Sequence, residues 1–220
     1  EQGNPVRVGI IGAGKFGAMY LSQARLTTGT HVLGIADLAP EKAKETLRHI
    51  GWEDERFAAT SFDDALASGS TFLTDDAEAL IKADGLEVLI DATGDPAAGI
   101  RHCLMAIANG RHVIMVNVEA DVVAGPLLAR KAADAGVVYS MAWGDQPALI
   151  CEHVDWARAC GFKVVTAGKG TRYHPSFHQS TPDTVWEHFG WSKEVVERGR
   201  LNPKMFNSFI DGTKSGIEMT

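Results

Sequence analysis

An apolar run, Val6 to Ile11, leads without a break into Gly12-Ala13-Gly14-Lys15-Phe16-Gly17. No other feature constrains the fold as tightly. The run has the composition of a strand, and Met19, Leu21 and Ala24 after the glycines follow helical spacing. A GxGxxG turn between a strand and a helix has a defined use. Gly12 permits the tight turn, Gly14 lets the backbone approach a pyrophosphate with no Cβ in the way, and Gly17 lets the helix lie close to the strand. The helix N-terminus then offers free N–H groups and a partial positive charge to phosphate oxygens. A second strand, Thr30 to Ala36, ends at Asp37, about twenty residues past the motif, where a carboxylate accepts hydrogen bonds from a ribose. Strand, glycines, helix, second strand and terminal acid occur together, which separates this motif from a glycine-rich turn that binds nothing. Asp37 also bears on cofactor choice. A carboxylate there repels a 2′-phosphate and favours NAD(H), and Lys42 and Lys44 in the next helix are the cations that can offset it.

The alternation continues. Pro40 opens a helix, Asp75 to Lys82 reads as another, and Leu86 to Asp91 reads as a strand. A helix follows Pro96, with Gly110 where a C-terminal cap belongs, and His112 to Val116 is a strand. A helix from Pro126 ends near Gly136, Val137 to Ser140 is a strand, a helix runs from Pro147 to Cys160, and Lys163 to Ala167 reads as a strand. Near-continuous apolar strands separated by helices predict an α/β fold: a Rossmann-type doubly wound parallel sheet over residues 1–145. Residues 146–220 are expected to form part of a second α/β substrate domain, within which the chain stops as a fragment. There the texture turns polar from Gly168, Thr181-Pro182-Asp183 looks like a helix cap, and Asp211 to Glu218 starts a helix.

The net charge of −7 and the lack of a Lys/Arg cluster argue against nucleic-acid binding, and no apolar run is long enough to cross a membrane. Cys103, Cys151 and Cys160 form no CxxC and read as reduced core residues of a cytoplasmic protein.

Later strand ends fit the same cofactor. In Asp91-Ala92-Thr93-Gly94-Asp95-Pro96, Thr93 and Gly94 belong to a loop expected beneath the nicotinamide ribose. Asn117 and Glu119 follow the next strand at the carboxyl edge, where ligands bind, whereas Asp121 reads as a solvated acid. Asp145 closes the strand after that, either at the site or as a helix cap.

Five segments, VRVGIIGAGKFG, DATGDP, HVIMVNVEAD, GDQPALICEHVDWARACGF and MFNSFIDGTKSGIEMT, together resemble the homoserine-dehydrogenase-like oxidoreductases. More narrowly they resemble the 1-deoxy-D-xylulose-5-phosphate reductoisomerase-like branch. The resemblance covers essentially the whole chain, and its last two segments are the more specific. It implies an NADPH-dependent enzyme of isoprenoid precursor synthesis, converting 1-deoxy-D-xylulose 5-phosphate to 2-C-methyl-D-erythritol 4-phosphate, with fosmidomycin as inhibitor. Two departures stand out. Asn117-Val118 occupies the place of an Asn-Lys pair, so a cation is missing there or comes from elsewhere. The Asp-x-Glu arrangement that holds a divalent cation in the ordinary reductoisomerases is not matched, so the metal stays open.

Reductive isomerisation of a phosphosugar needs a cation to polarise the carbonyl, an acid/base for hydroxyl protons, and basic groups for the phosphate. Lys169 lies in a glycine-flanked loop, Lys204 and Lys214 lie in the segment resembling the family's active-site helix, and Glu218 follows Lys214 by four, on the same helical face. Arg172, His174 and His178 rank below these lysines, and Trp186 and Trp191 read as packing residues. The competing functions are a dehydrogenase acting on homoserine or a sugar acid, and a nucleotide-binding protein without turnover. A homodimer is expected for this architecture.

Overall fold

A computed structural model describes residues 3–143, 146–170, 173–199 and 201–218, the side chains of Gln146, Pro147 and Glu218 excepted. The chain divides into two compact units, Glu1–Ala142 and Trp143–Thr220.

In the first unit six strands form one parallel sheet: β1 (Val6–Ile11), β2 (Thr30–Ala36), β3 (Phe72–Thr74), β4 (Val88–Asp91), β5 (His112–Met115) and β6 (Tyr139–Met141). Their order across the sheet is β3-β2-β1-β4-β5-β6. Register places Ile11 beside Ala36 and Asp91, and Met115 beside Asp91 and Met141, so all these strand ends share one carboxyl edge. The chain starts at β1, builds outward to β3, then crosses to the other side of β1 for β4. The reversal leaves a crevice between the loops that follow β1 and β4.

The six intervening helices are α1 (Lys15–Ala24), α2 (Pro40–His49), α3 (Phe62–Ser68), α4 (Ala77–Lys82), α5 (Pro96–Ala108) and α6 (Val118–Asp134). Both sheet faces are covered. Val8, Ile10 and Ile35 pack with Leu21 of α1 and Leu47 of α2. On the opposite face Ile11, Leu33 and Leu89 pack with Leu80, Cys103 and Leu128 of α4, α5 and α6. Burial on two faces is the reason these strands are apolar at nearly every position.

Several expectations are corrected. The helix assigned to Pro126 begins eight residues earlier, because Asn117 caps it by accepting from the Ala120 N–H (3.1 Å). Pro126 is an exposed interior residue of α6, on the side where a freed carbonyl meets water. Helix α3 and strand β3 were not anticipated. Ser61 caps α3 by accepting from the Asp64 N–H, and β3 exists through its pairing with Gly34–Ala36. Asp121 is not merely solvated: Tyr139 donates its hydroxyl to Asp121 Oδ1 at 2.5 Å. Burial, and then this carboxylate, raise the Tyr139 pKa above the usual 10.0. A phenol with a raised folded pKa stabilises fully below the unfolded value and loses that contribution as pH climbs through the folded one. Tyr139→Phe should therefore flatten the loss of stability above about pH 10, measured by urea unfolding across pH.

The second unit has α7 (Gln146–Ala159), α8 (Val185–Phe189), α9 (Lys193–Arg198), α10 (Pro203–Ile210) and α11 (Thr213–Glu218). The expected strand at Lys163–Ala167 is absent among the described residues. Val165 there is 84% exposed: β-branched composition without a partner strand does not make a strand. An aromatic cluster of Trp186, Phe189, Trp191 and Phe206 organises α8 and α10, with the two indoles stacked at 6.0 Å. Packing is thus the role observed for both tryptophans. Of the cysteines only Cys103 is a core residue; Cys151 and Cys160 are exposed. Burial, with Asp91 and Asp121 nearby, pushes the Cys103 thiol up to about 12, so it stays protonated and inert.

Candidate functional site

The three glycines of the β1–α1 turn answer to different causes. Gly12 has φ +98°, and a Cβ there would press on the Ala92 carbonyl oxygen at 2.8 Å. A Cβ on Gly17 would overlap the Gly12 carbonyl oxygen. Packing accounts for both. Gly14 is different: its φ is −69°, open to any residue, and a Cβ would meet nothing within 4 Å. It is exposed, as are Lys15 and Phe16 beside it, while Ala13 is buried. Gly14 is also the N-cap of α1, and no side chain caps the helix. Nothing inside the protein requires glycine here. The first turn of α1 instead presents backbone N–H groups at an open, Cβ-free rim, a geometry that accepts a phosphate.

Asp37 stands over this turn. Its Oδ2 accepts from the Ala13 N–H at 2.8 Å and its Oδ1 from the Ala39 N–H at 2.9 Å. The carboxylate is therefore held at the glycine turn, with lone pairs to spare for a ribose. Lys44 pairs with Glu41 at 2.7 Å instead of with Asp37.

The β4 loop closes the other side of the crevice. Asp91 is fully buried and its carboxylate is satisfied three times. Oδ2 lies 2.7 Å from His102 Nδ1 on α5, and Oδ1 accepts from the Thr93 hydroxyl (2.7 Å) and N–H (3.2 Å). Asn117, 1% exposed, extends the chain of bonds: its Nδ2 donates to Thr93 Oγ1 (3.1 Å) and to the Asp95 carbonyl (2.8 Å). With its Oδ1 capping α6, the Asn117 amide is committed to holding loop 92–95 against α6. Asp95 caps α5 by accepting from the Ala98 N–H (2.6 Å). Gly94 is exposed at the loop's tip, and a Cβ there would meet nothing within 4 Å, as at Gly14. Glu119 is half-buried in the first turn of α6, and Val118 is buried at the place where the resembled family carries a cation. Asp91 and His102 were not singled out from sequence. The available signal was an acid ending a strand otherwise buried, which needs a partner.

Gly12–Gly17, Asp37, Thr93, Gly94, Asn117 and Glu119 thus all belong to the carboxyl edge of one sheet. The substrate-side candidates belong to the second unit. Lys204 is exposed in the first turn of α10, and Lys214 is half-buried in the first turn of α11. These two helices pack together, and Glu218 ends α11. A polar chain supports the pair: Ser180 donates to Asn207 Oδ1 (2.6 Å), Asn207 Nδ2 to Asp211 Oδ2 (2.9 Å), and Thr213 to Asp211 Oδ1. Lys169 is half-buried in an irregular segment. His174 and His178 are engaged locally with Ser176 and Tyr173. Asp145 and Arg172 lie outside the described residues. Among the described residues no group of three or more His, Cys, Asp or Glu side chains is placed to hold a metal, and no helix is long and apolar enough to cross a membrane.

The strand order, with a glycine turn at the reversal, defines a Rossmann-type fold. An NAD-binding oxidoreductase from Klebsiella pneumoniae shares it at 19% identity and TM-score 0.50, over 72% of this chain and 39% of that one. A homoserine dehydrogenase from Thiobacillus denitrificans shares it at 18% identity and TM-score 0.50, over 66% of this chain and 30% of that one. The chain therefore spans well under half the length of either, and the likeness is one of fold. Residues 144–220 match the family described as Oxidoreductase DRL, catalytic domain. No curated protein matches the chain.

Proposed function

We propose that the chain is the nucleotide-binding part, and a portion of the catalytic part, of an NAD(P)-dependent oxidoreductase acting on a phosphorylated ketose. The observation that carries the first half is Gly14: an exposed glycine that packing does not require, at an uncapped helix N-terminus beneath a fixed carboxylate. Gly12–Gly17 would hold the pyrophosphate, Asp37 the adenosine ribose, and Thr93 and Gly94 the nicotinamide side, with Asn117 fixing the loop and Glu119 beside it. Bound there, the nicotinamide supplies or accepts a hydride. Because Asp37 is held at the turn by the Ala13 N–H, NADH suits this site better than NADPH.

The match of residues 144–220 to an oxidoreductase catalytic domain supports the second half. Lys214 would polarise a carbonyl or grip a phosphate, Glu218 would orient the substrate or move a proton, and Lys169, Lys204 and Asp145 would complete the polar surface. The reductoisomerase reaction on 1-deoxy-D-xylulose 5-phosphate is the finest form of this reading. A cytoplasmic homodimer is its expected setting.

The test is NAD(P)H oxidation with 1-deoxy-D-xylulose 5-phosphate and, separately, aspartate semialdehyde, using the full-length protein. Lys214→Ala should lower kcat/KM by about one to two decades, from one lost charge-assisted contact, while leaving NADH affinity intact. Asp37→Ser should shift preference toward NADPH. Turnover of aspartate semialdehyde alone would move the substrate to the homoserine class, and an unaltered kcat/KM in Lys214→Ala would remove that lysine from the site.

A further inference from the structure

Among the described residues of the second unit, only Phe177, Ser180, Val185 and Asn207 are buried. Half of that small core is therefore polar. Burying a hydroxyl and an amide gains less than burying two apolar side chains of similar size, because each polar group gives up its water. Polar groups at the centre of so small a core point to a role other than stability.

The pair leads somewhere. Ser180, just past the turn at Pro175–Gln179, donates to Asn207 Oδ1 on α10 at 2.6 Å. Asn207 Nδ2 carries the link on to Asp211 Oδ2 (2.9 Å). Asp211 Oδ1 accepts from the Thr213 N–H (2.9 Å) and hydroxyl (2.7 Å), which fixes the first residue of α11. Both carboxylate oxygens are thus engaged, one toward the core and one toward α11. Lys214 is the next residue, half-buried in the same first turn. An amide suits the middle of this chain because it accepts at one end and donates at the other. A carboxylate in its place would repel Asp211, and an alkyl group would bond to neither neighbour.

We infer that Ser180 and Asn207 are positioning residues that fix Lys214 through Asp211 and Thr213. The inference rests on the assignment of Lys214 to the substrate site. A shift of about 1 Å in a group that holds substrate can lower a rate by roughly a hundredfold. A tie from the core to the start of α11 therefore matters to turnover without touching substrate.

Ser180→Ala/Asn207→Leu in the full-length protein tests it. The two changes remove the buried donor and acceptor together, and Asp211, itself half-buried, turns its freed oxygen to water. Tm should hold or rise, since both partners are replaced by apolar groups. Hydrogen exchange of the α11 backbone should quicken by roughly tenfold. The value of kcat/KM should fall by roughly ten- to a hundredfold, divided between kcat and KM as in Lys214→Ala. In a Lys214→Ala background the double change should lower kcat/KM no further, because both act on one group. Ser208→Ala, which removes an α10 hydroxyl that serves the Met205 carbonyl, is the control and should alter neither exchange nor turnover. Unchanged α11 exchange in the double variant would overturn the inference, whatever the substrate proves to be. So would a fall in kcat/KM that is as large in the Lys214→Ala background as in the wild type, or a lowered Tm with wild-type kcat/KM, which would make the pair structural only. If Lys214→Ala keeps full kcat/KM, the site assignment falls and this inference with it, whereas full kcat/KM in the double variant alone overturns only the inference.

Discussion

Gly14→Leu should leave the protein folded and remove its affinity for NAD(P)H. The backbone there is in a region any residue adopts, and an added Cβ meets nothing within 4 Å. The only structural cost is the weaker capping by leucine, about 1 kcal/mol. A pyrophosphate seated on the first turn of α1 would collide with the new side chain. Losing two charge-assisted contacts at about 1.5–3 kcal/mol each weakens binding by roughly a hundredfold or more. Gly17→Ala supplies the contrast. Its methyl group overlaps the Gly12 carbonyl oxygen, which is backbone and cannot swing away, so that variant should lose stability first. NAD(P)H fluorescence titration and thermal unfolding on both variants separate ligand from packing. Wild-type NAD(P)H affinity in Gly14→Leu would withdraw the cradle, and a large drop in its Tm would show that packing explains the glycine after all.

The same division between ligand and packing governs what could be read in the sequence. Strands β1, β2, β4 and β5 were legible because burial on both faces leaves them almost wholly apolar. Strand β3 was not, since Phe72-Leu73-Thr74 is too short to carry a period and is defined by its pairing with β2. The start of α6 was hidden because a proline more often opens a helix than sits inside one, and the real signal was the capping amide of Asn117. Asn117 also shows the limit of reading roles from residue type. A polar residue at a carboxyl edge invites a ligand assignment, yet here the amide is taken up by Thr93, Asp95 and Ala120. Gly12, Gly14 and Gly17 were visible as one motif, but only coordinates distinguish the two that packing demands from the one it does not. In the second unit the pattern at Lys163–Ala167 looked like a strand because local preference carries no information about a neighbour.

Asp91→Ala should be among the most damaging single changes in the first unit, although the sequence alone assigns the residue no role. The carboxylate is the shared acceptor of His102 Nδ1, the Thr93 hydroxyl and the Thr93 N–H, and it is fully buried. Removing it strands three donors where water has little access, at about 1–3 kcal/mol for each left unsatisfied. A total near 3 kcal/mol lowers Tm by roughly 6–12 °C at this chain length. The effect should reach the crevice as well. Thr93 is held from one side by Asp91 and from the other by Asn117, so freeing it loosens loop 92–95 beside the Gly12 turn. Weaker NADH binding should therefore accompany the lower Tm. His102→Ala removes one of the three donors and leaves the Thr93 bonds in place, so its Tm should fall by less and its NADH affinity should change little. If Asp91→Ala unfolds at the wild-type temperature, the network does not stabilise the fold. If His102→Ala loosens NADH as much as Asp91→Ala does, the histidine, and not the Thr93 contact, positions the loop.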